Sequence, residues 1–428
     1  MASTFPSDDH AAPIVIVGAG QAGGMAARCL REVGYRGAVI IVGDEAHLPY
    51  ERPPLSKAVL ADEQVPDVSL MPASFYAEHG IDLKTGTRAI RLDADRRQVE
   101  LEDGAILSFS SCLLATGGRA RQLPLCAGAA AAVHTLRTLD DALRLREAMR
   151  TANSVLIIGG GFLGLEIAST ARMRGLEAML VEQAPQLLER ALPPLLSRWL
   201  GERAAAHGVQ LHLNASLASL SEDAGGVRAV LGDGATLRAD LAVVAVGLAP
   251  EVTLAREAGL RIDAHNGGIV VDAHCRTSAT SVFAAGDCTS RPHAATGALV
   301  RLESWQNANE QARIAAAAML GIDTAPAATP WFWTDQFGCN VQMLGHRDPA
   351  LDYYVRGTLP SGCESGKALL FGVREGRLEH VVAINAGGDL RAFRDAVDQP
   401  LACAPQALCD PDAPAKQLAR LALGRART

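Results

Sequence analysis

Residues 14–23 read IVIVGAGQAG, an apolar run that leads directly into the spacing GxGxxG. A second copy of this pattern, VLIIGGGFLG, occupies residues 155–164. Each copy predicts a buried strand, a tight turn and the start of a helix. A helix and then a second strand are predicted after each turn. After the first turn they are 25–33 and 38–42, and after the second they are 165–174 and 178–181. The chain is therefore expected to contain a duplicated strand–loop–helix unit.

The three glycines of such a loop have different roles. The first permits the tight turn, the second lets a pyrophosphate approach the backbone, and the third lets the helix pack closely on the strand. The helix N-terminus then favours the anion. The glycines concerned are Gly18, Gly20 and Gly23 in the first loop and Gly159, Gly161 and Gly164 in the second. Two such loops after two strands predict two dinucleotide sites.

An acidic residue near the end of each second strand supports this prediction. Asp44 and Glu182 are placed to accept hydrogen bonds from ribose hydroxyls. A carboxylate at position 182 also repels a 2′-phosphate, which favours NADH over NADPH. Arg190 lies a little further along the chain, so NADPH use stays open. The simpler interpretation of both acids is a solvated surface.

Further repeats indicate how the units are arranged. Residues 112–117 (CLLATG) and 241–247 (LAVVAVG) resemble each other, and the apolar strand 281–285 ends in Gly286-Asp287. We predict an α/β fold in which one Rossmann-like unit is inserted within another, followed by a C-terminal α+β domain. The predicted domains are 10–118 with 248–325, 119–247, and 326–428. A linker is expected at 324–330, and the predicted C-terminal elements are strands 368–373 and 378–384 and a helix at 415–423.

The composition argues against several classes of protein. The chain has 428 residues with 40 basic and 47 acidic side chains, a net charge of −7 that does not suit bulk nucleic-acid binding. No uncharged apolar run reaches the ~18 residues of a transmembrane helix. Residues 1–10 carry acids instead of an apolar segment, so we expect no secretory signal. Nine cysteines without a CxxC pair predict a cytoplasmic protein with mostly buried, unpaired thiols, and the histidines show no metal-ligand spacing.

Five segments are more specific than the glycine loops. They are VGDE at 42–45, YERPPLSK at 50–57, LRTL at 136–139, VRLESW at 300–305 and PWFWTDQ at 330–336. In these segments and in their order the chain resembles the FAD-dependent pyridine nucleotide oxidoreductases, and among them the oxygenase-coupled ferredoxin reductases. The resemblance spans residues 14–336 and is loose beyond them. It implies a glutathione-reductase-like fold whose first unit binds FAD and whose inserted unit binds NADH.

The resemblance also implies site residues. Those implied for FAD are Gly18, Gly20, Ala22, Gly23, Asp44, Arg52, Lys57, Ala89, Thr116, Gly117, Arg137, Asp287, Val300 and Trp305. Those implied for NAD are Gly159, Gly161, Phe162, Gly164, Glu166, Glu182, Gly247 and Glu303. Within the FAD set, Asp287 would bind the ribityl chain and Val300 would lie against the flavin ring. The family usually has valine where Ala89 stands.

Catalytic roles are implied for Lys57, Glu166 and Trp333. A cation at Lys57, in a loop stiffened by two prolines, would stabilise the anionic reduced flavin, and Glu166 would pair with it. Trp333 would lie against one flavin face and share a strand face with Trp331. The simpler interpretations are solvated surface for Lys57 and Glu166, core packing for Trp333, and a helix N-cap for Asp287.

The positions of the cysteines bear on where the electrons go. The resemblance implies hydride transfer from NADH to the flavin and then release of electrons one at a time. Residues 44–60, where related thiol-dependent reductases carry their redox cysteine, contain none. The chain also lacks four cysteines spaced for a cluster of its own. We therefore expect a separate acceptor, a [2Fe–2S] ferredoxin serving a ring-hydroxylating dioxygenase or a cytochrome P450.

An acidic ferredoxin would need a basic docking surface, for which Arg291, Arg301 and Arg313 are the candidates. Solvated helix charges are the simpler interpretation of these arginines. The alternative functions are rubredoxin reductase, NADH diaphorase or oxidase, and a flavin-bound regulator resembling apoptosis-inducing factor. The sequence leaves monomer and dimer open.

Overall fold

The computed structural model describes residues 12–126, 132–223, 225–293, 296–325 and 328–425. The chain divides into two compact units. The first comprises Met1–Pro53, Asp67–Arg119 and Leu248–Ala328, and the second comprises Pro54–Pro66, Ala120–Gly247 and Thr329–Thr428. The three predicted domain ranges stay a prediction. Residues 10, 11, 294 and 295 of the first predicted domain and residues 127–131 and 224 of the second lie outside the described residues. So do residues 326–327 and 426–428 of the third, of which 326–327 belong to the predicted linker.

The first unit is built on a five-stranded parallel sheet. Its strands, in spatial order, are Val282–Ala284, Ser111–Leu114, Ile14–Val17, Val39–Val42 and Ile81–Lys84. Ile14–Val17 is the central strand and all four of its residues are buried, as the apolar run predicts for a strand covered on both faces. The strands predicted at 14–17, 38–42 and 281–285 are all present, with ends within one residue. The repeat segment 112–117 overlaps the strand Ser111–Leu114.

Helices and a small sheet cover the two faces of this parallel sheet. The helices Gln21–Glu32 and Trp305–Met319 pack on one face through alanines, among them Ala26 and Ala312, which let the helices come close. The other face packs against the antiparallel strands Ala89–Asp93, Gln98–Leu101 and Ile106–Ser108 and the helix Thr253–Glu257. The remaining elements are the helix Ala73–Glu78, the strands Ile269–Val270, Thr289–Pro292 and Leu299–Val300, and the pair Gly118–Ala120 with Leu248–Pro250.

The second unit repeats this plan, which confirms the duplicated Rossmann-like architecture. Its parallel sheet has the order Val209–His212, Glu177–Val181, Ser154–Ile158, Leu241–Val244 and Val133–Thr135. The associated helices are Leu139–Thr151, Phe162–Met173 and Pro194–Ala206. The antiparallel strands Leu217–Asp223, Gly226–Leu231 and Thr236–Ala239 form an additional small sheet. The short 3₁₀ helix Pro124–Cys126 completes the elements of this part.

The C-terminal part of the second unit contains an antiparallel sheet. Its order is Trp331–Gln336, Cys339–Gly345, Arg377–Ile384, Ala368–Arg374 and Asp352–Gly357, with Gln399–Pro400 paired to Arg377–Ile384. Helices Gly387–Leu390 and Ala415–Ala422 and the 3₁₀ helices Arg391–Phe393 and Pro405–Cys409 accompany it. The strands predicted at 368–373 and 378–384 and the helix predicted at 415–423 are present. Asp352–Gly357 was not predicted, because its half-buried residues lack a clear alternation.

Arginines hold the segment 54–66 within the second unit. This segment contains the 3₁₀ helix Pro53–Ser56, which begins at the unit boundary, and the helix Ala58–Ala61. The guanidinium group of Arg146 donates to the carbonyls of Val59, Asp62 and Glu63 at 2.5–2.9 Å. Arg174 donates to the carbonyl of Leu60 at 2.8 Å. Charged donors on backbone carbonyls thus fix the loop that carries Lys57.

No helix among the described residues is both long and apolar enough to cross a membrane.

The third glycine of each loop allows a contact that any side chain would block. A Cβ atom on Gly23 would lie 1.9 Å from the carbonyl oxygen of Gly18, and one on Gly164 would lie 2.0 Å from that of Gly159. Both distances are far below van der Waals contact, and the atom met is backbone. The start of each helix therefore rests directly on the turn before it.

We predict that Gly164→Ala lowers the free energy of unfolding by about 3 kcal/mol, the upper end of the usual cost of overpacking. The matched control is Gly201→Ala in the helix Pro194–Ala206, where the new Cβ would meet only Leu187 and Leu211 carbons at 3.7 and 3.9 Å. Alanine there should leave stability unchanged or raise it by up to ~1 kcal/mol. Urea denaturation of the three proteins measures both effects. Equal stability of the two variants would contradict the close contact.

Candidate functional site

The first glycine loop has the features of an anion site. Gly18 has φ +116°, and a Cβ there would lie 2.2 Å from the carbonyl oxygen of Ala115, so the protein itself requires this glycine. Gly20 is different, because the nearest atom to a Cβ there is a guanidinium nitrogen of Arg52 at 3.8 Å. No side chain among the described residues caps the helix Gln21–Glu32. Open space beside uncapped N–H groups and a nearby cation fits a dinucleotide pyrophosphate.

The second loop repeats these features. Gly159 has φ +113°, and a Cβ there would lie 2.5 Å from the carbonyl oxygen of Ala245. A Cβ on Gly161 would have no described atom within 4 Å, and the helix Phe162–Met173 has no side-chain cap among the described residues. Close contacts within the protein therefore explain the first and third glycines of each loop, but they do not explain the middle one. The room and the exposed donors fit a second dinucleotide.

Glu182 lies directly beside this second loop. Its Oε2 accepts a hydrogen bond from the backbone N–H of Gly160 at 2.6 Å, and its Oε1 accepts one from Ala184 at 2.7 Å. The carboxylate predicted to bind a ribose therefore also fixes the backbone of the loop. Since a carboxylate has about four acceptor sites, two backbone bonds leave capacity for ribose hydroxyls.

Asp287 and Arg52 lie in the same unit as the first loop. Gly286 has φ +87°, and a Cβ on it would lie 3.1 Å from that of Ala22, which places Asp287 close to the first helix. A strand, Thr289–Pro292, follows Asp287, so the helix N-cap interpretation is wrong. Burial opposes the charge of Arg52, yet Tyr50, Glu45 and Asp287 together raise the pKa of its guanidinium above the usual value. A permanent cation therefore stands beside Gly20.

The other residues predicted for FAD are divided between the two units. Ala22, Asp44, Ala89, Thr116, Gly117, Val300 and Trp305 lie in the first unit with the first loop, whereas Lys57 and Arg137 lie in the second. Asp44 is half-exposed, 3.5 Å from a guanidinium nitrogen of Arg88. Trp305 begins the helix Trp305–Met319, and its indole donates to Glu51. Arg137 precedes the helix Leu139–Thr151, and its backbone N–H donates to Asp141.

The residues predicted for NAD are divided in the same way. Phe162, Glu166, Glu182 and Gly247 lie in the second unit with the second loop, whereas Glu303 lies in the first. Phe162 begins the loop helix and its ring lies 4.6 Å from that of Phe332. Gly247 has φ +101° just beyond the strand Leu241–Val244. Glu303 forms an ion pair with Arg301 at 2.5 Å.

Lys57 and Glu166 form an ion pair in the second unit. Lys57 Nζ lies 3.2 Å from Glu166 Oε1, which confirms the predicted pairing. Glu166 is 8% exposed and the Lys57 side chain 21%, so a solvated surface is the wrong interpretation of both. Asp335 lies 3.7 Å from Lys57 Nζ, and the ring of Trp333 lies 5.7 Å from it. The ion pair is therefore partly buried, with a second carboxylate and an aromatic ring close to its ammonium group.

Two hydroxyl groups in this cluster were not predicted. Ser56 Oγ donates to Glu166 Oε2 at 2.5 Å, and Thr334 Oγ1 donates to Glu166 Oε1 at 2.6 Å. Both residues stand next to predicted ones, since Ser56 precedes Lys57 and Thr334 follows Trp333. Each is a polar residue inside one of the specific motifs, and that position was the signal by which the sequence could have identified it. Only the fold shows that both hydroxyls reach one carboxylate.

The tryptophans of strand Trp331–Gln336 share one face, as predicted. The rings of Trp331 and Trp333 stack with centroids 4.9 Å apart and an interplanar angle of 19°. Trp331 packs against the C-terminal core, while Trp333 reaches toward Lys57. The stack restricts the orientation of the Trp333 ring.

The described cysteines do not form a redox centre. Cys29, Cys112, Cys275, Cys288 and Cys339 are buried free thiols, whereas Cys363 is exposed. Burial raises the pKa of Cys29 to about 11 and those of Cys112 and Cys275 to about 12, and it raises the pKa of Cys288 as well. Thiols held protonated and out of solvent are poor nucleophiles. Among the described residues no cluster of histidine, cysteine or carboxylate side chains is arranged to hold a metal.

We predict that the native protein reacts with a thiol reagent at Cys363 and not at Cys288. Absorbance of the thiolate released from Ellman's reagent at pH 8 should show a fast phase that Cys363→Ser removes. Cys288→Ser should leave this phase unchanged, because the raised pKa and burial keep that thiol protonated. Loss of a fast phase in Cys288→Ser would contradict the buried, inert thiol.

Two family models and several relatives match the chain. Residues 12–312 match the family described as pyridine nucleotide-disulphide oxidoreductase, and residues 331–419 match the reductase C-terminal family. The 3-phenylpropionate/cinnamic acid dioxygenase ferredoxin–NAD(+) reductase component of Photorhabdus laumondii is 40% identical over 90% of this chain and 96% of its own length. Rhodocoxin reductase of Rhodococcus erythropolis is 37% identical over 93% of this chain and 92% of its own.

A solved structure matches nearly all of the fold. The covalent putidaredoxin reductase–putidaredoxin complex contains a chain that superposes with a TM-score of 0.91 at 33% identity, covering 98% of this chain and all of that one. The family match covers more than half of the residues, and the relatives match along almost their whole length. The chain therefore belongs to the pyridine nucleotide-disulphide oxidoreductase family, with a reductase C-terminal domain.

Proposed function

We propose that this protein takes electrons from NADH and passes them through FAD to a [2Fe–2S] ferredoxin that serves a ring-hydroxylating dioxygenase or a cytochrome P450. As a family member, the chain is an oxidoreductase that uses FAD and NAD(H). The observation that carries the proposal is the pair of glycine loops. Each has a middle glycine facing open space at an uncapped helix N-terminus. Two dinucleotides in one chain are what a transfer between nicotinamide and flavin requires.

The first loop is assigned to FAD. When bound, FAD supplies the chemistry that accepts a hydride and releases single electrons. The uncapped N–H groups of the loop helix and the guanidinium group of Arg52 would balance the pyrophosphate charge. Asp44, after the strand Val39–Val42, is assigned to the adenosine ribose. Asp287, after the edge strand Val282–Ala284 of the same sheet, is assigned to the hydroxyls of the ribityl chain, since a carboxylate is a strong acceptor. Lys57 supplies a cation whose position Glu166 fixes.

The second loop is assigned to NADH. The N–H groups at the start of the helix Phe162–Met173 would bind its pyrophosphate, and Glu182 would accept from its ribose hydroxyls. No 2′-phosphate is favoured beside the negative charge of Glu182. Phe162 begins the helix and would lie close to the bound dinucleotide.

The electron acceptor is assigned from the relatives and the thiols together. One named relative is the ferredoxin–NAD(+) reductase component of a dioxygenase, and another is a rhodocoxin reductase. Among the cysteines whose burial is described, Cys363 is the exposed one, and it is a free thiol without a cysteine partner. The described cysteines offer no disulfide that the electrons could reduce. We therefore expect the electrons to pass to a partner protein.

Of the three candidate docking arginines, Arg313 is the best placed. Its side chain is 42% exposed, with Glu310 at 3.7 Å. Arg301 is only 13% exposed and its charge is balanced by Glu303, while Arg291 is partly buried, which lowers the pKa of its guanidinium. We therefore propose Arg313 as the main contact for an acidic ferredoxin surface.

Stopped-flow spectroscopy of the purified holoprotein tests this function. NADH should bleach the bound flavin within milliseconds to seconds, and mixing with an oxidised [2Fe–2S] ferredoxin from a dioxygenase system should restore the flavin colour. Arg313→Glu should slow only the second step, and added salt should reduce the difference. Ferricyanide, rubredoxin and oxygen serve as competing acceptors. A protein without flavin, or one that reduces rubredoxin or oxygen faster than ferredoxin, would overturn the proposal.

We predict that Glu182→Arg raises the KM for NADH by about 10- to 100-fold, as expected for loss of charge-assisted hydrogen bonds of ~1.5–3 kcal/mol. The same change should admit NADPH. Glu177→Arg, on the same strand but at its exposed start, is the matched control and should keep the KM of the native protein. Steady-state ferricyanide reduction with both nucleotides measures the effect. An unchanged NADH preference in Glu182→Arg would remove Glu182 from the assigned site.

A further inference from the structure

The carboxylate of Glu166 is satisfied mainly by hydroxyl groups. Ser56 donates to one oxygen at 2.5 Å and Thr334 to the other at 2.6 Å, whereas Lys57 Nζ is further away, at 3.2 Å. Glu166 is buried, so water contributes little to balancing its charge. The negative charge is therefore shared between two neutral donors and one cation.

Gln336 supports the hydrogen bond from the Thr334 hydroxyl to Glu166. The Gln336 side-chain amide donates to Thr334 Oγ1 at 3.3 Å, and both residues are buried. A hydroxyl group has a single hydrogen, and an oxygen that accepts from an amide donates that hydrogen elsewhere. The acceptor within reach is Glu166 Oε1. Since an ionised carboxylate can only accept, Thr334 is the donor to Glu166, and the Gln336 amide donates to the same hydroxyl oxygen.

The two hydroxyls that reach Glu166 come from segments far apart in the sequence. Ser56 lies in the arginine-held segment immediately before Lys57, and Thr334 lies in the C-terminal sheet between Trp333 and Asp335. The strand alternates, so Thr334 is 1% exposed while Asp335 beside it is exposed. The fold therefore directs one hydroxyl from each segment onto a single helix residue.

We propose that Ser56 and Thr334 are positioning residues, which act through Glu166 to set how strongly the Lys57 ammonium is drawn away from the bound cofactor. This inference rests on the proposed function, which assigns Lys57 as a cation for the bound FAD. A carboxylate that lost a hydroxyl donor in a buried site would bind the ammonium more tightly. The positive charge offered to the cofactor would then be smaller. Since that charge favours the reduced state of the flavin, the midpoint potential should become more negative.

The decisive variants differ by one group at Thr334. Thr334→Val removes the hydroxyl and keeps the shape, and we expect the equilibrium constant for reduction of the flavin by NADH to fall about tenfold, equal to about 30 mV for a two-electron couple. Thr334→Ser keeps the hydroxyl and should stay within twofold of the native value. Spectroelectrochemical titration of the holoprotein measures the potential directly. Equal potentials for the valine and serine variants would overturn the proposal.

A second pair of variants repeats the test at the other oxygen. Ser56→Ala should shift the potential in the same direction as Thr334→Val. Its matched control is Ser197→Ala, since Ser197 is also buried in the second unit and its hydroxyl has no hydrogen-bond partner among the described residues. The control should keep the native potential. A shift in Ser197→Ala as large as that in Ser56→Ala would assign the effect to packing and overturn the proposal.

A double-mutant cycle shows whether the hydroxyls act through Lys57. In a Lys57→Met background, adding Thr334→Val should change the equilibrium constant by less than twofold. A full tenfold change in that background would mean that Thr334 acts on the flavin by another route, and the inference would fail. Failure of the proposed function gives a different result, because the native protein would then lack bound flavin or would not be reduced by NADH.

Discussion

The contact between the third glycine and the carbonyl oxygen of the first glycine determines the geometry of both loops. A Cβ would lie about 2 Å from that oxygen in each, so a single added carbon would push the helix off its strand. With the contact in place, the first helix turn stands over the ends of the parallel strands and its N–H groups face open space. The nucleotide sites assigned to both units depend on this absence of side chains.

The second loop helix, Phe162–Met173, carries a further set of contacts on a different side. Glu166 receives Ser56, Lys57 and Thr334, while Thr170 donates to the backbone of Ser56 and Ser169 accepts from the backbone of Phe337. Spacings of three and four residues place these groups on one helix face. One short helix thus supports a nucleotide loop at its start and, one turn later, fixes the partly buried Lys57 of another segment.

The strong local patterns made much of the fold predictable. The runs at 14–17 and 155–158 are buried β-branched and apolar strands, and the glycine spacing defines the turns that follow them. The small antiparallel sheets, such as Leu217–Asp223 with Gly226–Leu231, were not predicted, because short mixed strands are stabilised by packing on neighbours and not by their own pattern. The helix N-cap, the alternative interpretation of Asp287, is wrong because a strand and not a helix follows that residue.

The sequence by itself determined the duplicated loops and the family, and it predicted residues with specific chemistry, because these depend on spacing within one segment. Tertiary structure alone decided which charges are buried and which groups meet. Glu166 in the middle of a helix has the pattern of a surface residue, and it is buried because two distant segments pack over it. Arg301 has the pattern of a docking residue, yet its charge is balanced by Glu303. Such pairings depend on contacts between residues far apart in the chain, and no local pattern records them.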